Sequence, residues 1–235
     1  MLSCALDDPY TRMTLQIGIV GTDGIVIASD RRILNLQWES YGKSLASKVY
    51  VNTDVACCWA GRDDADFAAR NIEKVDWSTV QDRKGKLTEL GEEGWKMCYG
   101  NSEMLYPGRQ STSSVLAAFS DPCELWELEL FRQSRATQIL THAICGDFYN
   151  TGAKHLLGNY LPSGPLPVLE LIKLASFSIW MGHKENPNMI EGLEVVIVRP
   201  GRPPERQSSD REERLKAACE TTWASIHKIF FEPLE

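Results

Sequence analysis

Residues 14–32, TLQIGIVGTDGIVIASDRR, decide how the chain folds. Leu15 to Val20 (LQIGIV) alternates and is rich in β-branched residues. Gly21-Thr22-Asp23-Gly24 supplies turn chemistry, and Ile25 to Ala28 (IVIA) resumes the apolar run. Two such runs about a glycine-bearing turn predict a β-hairpin. It is followed by an acid and two bases, Asp30-Arg31-Arg32.

Outward from that hairpin, Lys48 to Val51 and Val55 to Trp59 predict a second one, with Asn52-Thr53-Asp54 between them. No strand or helix is assigned between Asp30 and Lys48, where two residues more than the spacing needs are placed in a loop. From Arg62 the period becomes helical: Ala65, Phe67, Ala68, Ile72 and Val75 form a stripe, with Asp63 and Asp64 at its electropositive start. A second helix is predicted over Leu87 to Tyr99, although Gly91 and Gly94 oppose it. Asn101 to Ser111, with Pro107-Gly108, reads as a loop. Strands are predicted at Ser114 to Phe119, at Leu125 to Leu130 after the turn Ser120-Asp121-Pro122, and at Ala136 to Leu140. Helices follow at Tyr149 to Gly158 and Val168 to Met181, then a strand at Leu193 to Val198. Pro200-Gly201-Arg202-Pro203-Pro204 breaks that strand. Ser208-Ser209-Asp210 supplies a cap, and Arg211 to Phe230 is an amphipathic helix whose Trp223, Ile226, Ile229 and Phe230 pack on the domain or on a neighbour. Segregated runs of strands and helices imply an α+β chain, in which helical layers on either side of two stacked antiparallel sheets satisfy the order.

Composition excludes several functions. The chain has 235 residues, 32 acids against 25 strong bases, and a net charge of −7. Its 43% apolar and 24% charged content is that of a globular protein,. An acid excess argues against a dedicated nucleic-acid binder. No apolar run approaches the roughly 18 residues of a membrane-spanning helix, and MLSCALDDPYTR lacks the basic opening and apolar stretch of a secretory signal. Seven scattered cysteines with no CxxC spacing suggest neither a zinc site nor a disulfide framework, and a cytoplasmic location fits them,. The four histidines, His142, His155, His183 and His227, show no metal-ligand spacing,.

The segment from Thr14 to Arg32 resembles the start of a mature subunit of the proteasome-type N-terminal-nucleophile (Ntn) hydrolases, in particular a bacterial proteasome-like β-type subunit. Ala28-Ser29-Asp30-Arg31-Arg32 fits the family's A-x-D-x-R ending, with Asp30 at the family's distance from Thr14. Ser47-Lys48-Val49-Tyr50-Val51 is similar to its lysine-bearing strand, and Ala60-Gly61 to its strand-to-helix junction. Cys145-Gly146-Asp147-Phe148-Tyr149 is similar to its G-S-G-x-x-Y turn. The resemblance implies a four-layer αββα sandwich over residues 14–200. Residues 1–13 would be a propeptide or lie upstream of the true start, and residues 201–235 would form a Pro-rich connection and a C-terminal helix.

It also implies a chemistry. A threonine hydroxyl needs a base, and a chain's own α-amine can serve. Thr14 is then the nucleophile, Lys48 its activator, Asp30 the group that orients Lys48, and the Gly61 N–H an oxyanion donor. Arg32, Cys145 and Gly146 would support the site. Ile33, Tyr50 and Trp59 would wall the pocket for the side chain preceding the cut and favour small neutral residues there. Taken singly, each residue also has an ordinary reading: Asp30 as a strand terminus, Lys48 as an edge charge, Thr14 as a strand threonine, Trp59 as core. The sequence departs from the family at Ile144 and Cys145. It departs again at Asn186 and Met189, where D-x-x-S-G-G is missing, and at Met13, which precedes the threonine.

The expectation is therefore a threonine endopeptidase acting on polypeptides inside a ring or helical homo-oligomer, with a possible unfoldase partner and no metal or organic cofactor. A catalytically inactive structural subunit and a non-proteolytic amidohydrolase are the alternatives.

Overall fold

The opening hairpin forms as predicted: β1 (Leu15–Val20) pairs antiparallel with β2 (Ile25–Ser29), with Ile17 opposite Ala28. The computed structural model describes residues 14–37, 40–100, 113–146, 155, 157–158 and 164–231. Within them follow β3 (Arg32–Gln37), β4 (Ser40–Leu45), β5 (Val49–Val51), β6 (Val55–Ala60), α1 (Asp63–Lys74), α2 (Arg83–Tyr99), β7 (Ser114–Ser120), β8 (Cys123–Glu129), β9 (Arg135–Ile139) and β10 (His142–Gly146). The chain continues through α3 (Val168–Glu185), β11 (Glu194–Val198), β12 (Glu205–Arg206) and α4 (Ser209–Phe231).

Ten of these strands build two five-stranded antiparallel sheets, one ordered β10-β1-β2-β11-β12 and the other β5-β6-β7-β8-β9. Alternation along each strand then sets three apolar layers. In β6, VACCWA, Val55, Cys57 and Trp59 face α1 and α2, whereas Ala56, Cys58 and Ala60 face the other sheet. In β2, Ile25 and Ile27 enter the layer between the sheets, and Val26 and Ala28 face α3. Each sheet is thus buried on both faces, which is why these strands read as continuous apolar runs. The result is the αββα sandwich that the sequence predicts.

Local contacts lock the layers. Asp23, in the β1–β2 turn, accepts the Val168 N–H at 2.7 Å and so caps α3 on the sheet that it covers,. The two glycines that argued against α2 face its packing surfaces. A Cβ at Gly94 would stand 2.8 Å from the Asp64 carbonyl of α1, and one at Gly91 would stand 2.8 Å from Ser134. At these positions glycine admits close helix packing, which offsets its low helix propensity. Trp180 of α3 meets Trp223 of α4 with centroids 5.8 Å apart.

Four expectations change. The residues after Asp30, to which no element is assigned from sequence, form the β3–β4 hairpin, in which Arg32 pairs with Leu45. His142–Gly146 is a strand, bonded along β1. The segment after Pro200 contributes β12, an edge strand on β11. Helix α2 begins four residues early, at Arg83, where Asp82 accepts the Gly85 N–H. The loop expected over 101–111 lies outside the described residues, and so does most of the helix expected over 149–158. No described helix is long and apolar enough to cross a membrane.

Candidate active site

Antiparallel register gathers the candidate residues at one end of the sandwich. Strand β1 begins where β2 ends and where β10 ends: Gln16 pairs with Ser29, and Leu15 with Gly146. Glu194 opens β11 opposite Ser29. In the other sheet β5 begins where β6 ends, and the Trp59 N–H donates to the Lys48 carbonyl. Lys48 therefore stands at the start of one sheet with Thr14 and Asp30 at the rim of the other.

Lys48 Nζ lies 2.8 Å from Thr14 Oγ1 and 3.0 and 2.9 Å from Asp30 Oδ1 and Oδ2. These three contacts match the three donors of an ammonium. Asp30 also accepts the Leu15 N–H and the Arg32 N–H, both at 2.9 Å. Thr14, Asp30 and Lys48 are all at most 1% exposed. Burial pushes the Lys48 pKa down, while the Asp30 carboxylate pulls it back up. Burial pushes Asp30 up, against Lys48 and the two backbone donors. Burial thus opposes the Lys48 charge and the Asp30 carboxylate supports it, at a nitrogen in contact with a hydroxyl,.

Gly146 and Gly61 are built into the same rim. Gly146 has φ +112°, and a Cβ there would stand 1.6 Å from the Thr14 carbonyl oxygen. Any side chain at 146 would displace Thr14. Gly61 has φ +104°, and its Cβ would stand 2.6 Å from Ser113 Cα. Ser113 Oγ in turn accepts the next amide, Arg62 N–H, at 3.1 Å. The turn after Ala60 therefore requires glycine on both steric and conformational grounds.

The other candidates separate. Arg32 holds Asp30 through its backbone N–H, while its guanidinium pairs with Glu191. The Cys145 thiol turns into the layer between the sheets and donates to Glu127 at 3.2 Å. Burial, followed by the Glu127 charge, raises the thiol's pKa well above its ordinary value. Trp59 is buried in the cluster under α1 and α2, with Ile33 and Tyr50 at that cluster's partly buried margin. The Tyr50 hydroxyl donates to Asp66 at 2.5 Å, and Asp66 also binds Arg70. Asn186 and Met189 shape the exit of α3: the Asn186 N–H bonds Gly182, and the Met189 N–H bonds the Asn186 carbonyl. No group of described residues has the make-up of a metal site.

Sequence reasoning passed over Ser47, Glu194 and Arg206, which the structure places around Lys48. The signal for Glu194 was an acid inside the apolar run LEVVIV, since a buried charge requires a partner.

No family model and no curated protein matches the chain. Among solved structures it is similar to the helical assembly of the Anbu complex from Pseudomonas aeruginosa, with TM-score 0.70 and 14% identity over 94% of this chain and 98% of that one. It is similar also to Anbu (ancestral beta-subunit) from Yersinia bercovieri, with TM-score 0.66 and 15% identity over 94% and 99%. A Gly-1 mutant of Anbu from Hyphomicrobium sp. strain MC1 matches with TM-score 0.64 and 13% identity over 94% and 99%. At such identities the likeness carries the fold. The assignment read from the sequence, to a bacterial proteasome-like β-type subunit of the proteasome-type Ntn hydrolases, is corrected by these comparisons. Neither a family model nor a curated relative supports it, and the structural neighbours are Anbu proteins, which are proteasome-like but a distinct family.

Proposed function

We propose that the chain is a threonine-type endopeptidase, in which Thr14 attacks peptide bonds once it has become the N-terminal residue. The observation that carries this reading is the buried Lys48 ammonium, in contact with both the Thr14 hydroxyl and Asp30.

The chemistry follows from the charges. A free α-amine has an unperturbed pKa of about 7.7–8.0. The nearby Lys48 charge disfavours its protonation, so the amine is free to take the Oγ proton. Oγ then bonds the substrate carbonyl carbon, and the developing oxyanion is met by the Gly61 N–H. The amine returns its proton to the leaving nitrogen as the C–N bond breaks. Water hydrolyses the resulting ester and regenerates Thr14. No step requires a metal or an organic cofactor. Self-association into a chamber is part of the reading, supported by the helical assembly of the Anbu neighbour.

Intact mass of the native protein tests it. The expected mass is that of a chain beginning at Thr14, rising by one adduct after exposure to a threonine-reactive inhibitor. Retention of residues before Thr14, with no adduct, would overturn the reading and favour a structural subunit. Activity on a small acyl amide with none on unfolded peptides would favour an amidohydrolase.

The same reading extends to specificity. Ile33 and Tyr50 present apolar surface, and the Asp66 charge at the Tyr50 hydroxyl is already paired with Arg70. Cleavage after small neutral residues is expected in a peptide library, and a preference for arginine or aspartate before the cut would refute it.

A further inference from the structure

Glu194 and Arg206 surround the backbone of Lys48, and the chemistry above uses neither. The Glu194 side chain is 4% exposed. Its Oε2 accepts the Lys48 backbone N–H at 3.0 Å, and its Oε1 is held by Arg206 Nη1 at 3.1 Å. The same guanidinium donates from Nη1 to Ser47 Oγ at 3.2 Å and from Nη2 to the Val49 carbonyl at 2.7 Å. Ser47 Oγ closes the loop by donating to the Val49 carbonyl at 2.9 Å. One buried acid and one arginine therefore fix Lys48 and the residue on each side of it.

The direction of these contacts matters. Strand β12 already joins β11 through its backbone: Val196 pairs with Arg206, and the Gln207 N–H donates to the Val195 carbonyl. The Arg206 side chain adds a bond to a different sheet, at the start of β5. Lys48 Nζ must meet three acceptors within 3.0 Å at the end of a flexible four-carbon stem. A displacement of about 1 Å in a reacting group is enough to lose about 100-fold in rate.

We infer that Glu194 and Arg206 are positioning residues that clamp the backbone around Lys48 so that its ammonium meets Thr14, making the segment after Pro200 part of the active-site scaffold. The effect on rate rests on Thr14 being the nucleophile. The effect on Lys48 itself does not.

The test uses the full chain with Arg206→Met, Glu194→Ala and the double variant Glu194→Gln/Arg206→Met. Two quantities are measured where all are folded: kcat and KM on an unfolded polypeptide, and hydrogen exchange of the Lys48 amide. In Arg206→Met, which strands a buried carboxylate beside the Lys48 amide, kcat should fall roughly 10- to 100-fold at nearly constant KM, with Lys48 exchange accelerated. Glu194→Ala, which removes the acceptor, should do the same. In the double variant the glutamine still accepts the Lys48 N–H and leaves no unpaired charge, but the Arg206 bonds to Ser47 and Val49 are gone. Its kcat should therefore exceed that of Arg206→Met and stay below wild type, and full recovery would overturn the part given to Arg206. Should Arg206→Met not fold, Arg206→Lys, which keeps the charge without the fork, takes its place. Wild-type kcat in folded Arg206→Met and Glu194→Ala would overturn the inference, whatever the exchange shows. If the wild-type chain itself hydrolyses nothing, the reading of Thr14 has failed, and Lys48 exchange alone decides the clamp. Acceleration in the variants then supports it, and unchanged exchange overturns it.

Discussion

Lys48→Met lowers Thr14-dependent hydrolysis by about 10³-fold or more and destabilises the fold by about 3–5 kcal/mol. The two effects have different origins. Methionine fills nearly the volume of the lysine stem but leaves Asp30 as an unpaired carboxylate at 0% exposure. Removing one partner of a buried ion pair costs more than the pair contributed, because the remaining charge keeps its full desolvation penalty. The amides of Leu15 and Arg32 still donate to Asp30, so the loss falls short of stranding the carboxylate altogether.

The double variant Lys48→Met/Asp30→Asn separates the effects. The asparagine carries no charge and keeps one carbonyl oxygen for the Leu15 or the Arg32 amide. The other amide faces an NH2 group, at a cost of about 1–3 kcal/mol for one orphaned donor. Urea unfolding should therefore show the double variant more stable than Lys48→Met while its hydrolysis remains absent. Equal stability of Lys48→Met and wild type would show that the Lys48–Asp30 pair is not the buried, coupled unit described above.

The parts of the fold that were legible in the sequence are those where local pattern and tertiary burial agree. LQIGIV, IVIA, VACCWA and SVLAAF are strands buried on both faces, and their runs of β-branched and small residues say so directly. The trio Thr14, Asp30 and Lys48 was legible through the family resemblance and not from local pattern, since each member alone has an ordinary reading; the fold brings the three side chains together at one rim. What was not legible depends on pairing. HAICG is too short and mixed to read as a strand, and it becomes β10 because β1 offers it an edge. Arg32–Gln37 and Ser40–Leu45 carry Asn35, Lys43 and Gly42, which weaken any strand signal, yet they pair along their whole length. Glu205-Arg206 sits just beyond Pro203-Pro204, where a break is the natural reading, and β12 needs only two residues because β11 supplies the template. The Glu194–Arg206 clamp joins residues on different strands to Ser47 and Val49, more than 140 positions away, a separation that no local pattern reports.

Thr14→Ala and Thr14→Ser form the sharper pair of variants, because they remove different atoms from a site whose scaffold is otherwise unchanged. Alanine deletes the hydroxyl that Lys48 Nζ approaches at 2.8 Å, leaving the ammonium with Asp30 alone. Hydrolysis should fall by about 10³-fold or more, since among the described residues no other hydroxyl contacts Lys48 Nζ, and stability by about 1–3 kcal/mol for one unsatisfied buried donor,. Serine keeps Oγ and loses only a methyl group, so hydrolysis should survive within about tenfold of wild type, and the inhibitor adduct should still form. The pH dependence supplies the second half of the test. The α-amine must be neutral to accept the Oγ proton, so the rate falls as pH drops through that amine's pKa. The Lys48 charge depresses this pKa, and the acid limb of the Thr14→Ser profile should therefore lie below the unperturbed range of about 7.7–8.0. A Thr14→Ala chain that retains wild-type hydrolysis would place the nucleophile elsewhere. A serine variant as inactive as alanine would mean that the threonine methyl is needed to hold Oγ in the rotamer from which it attacks.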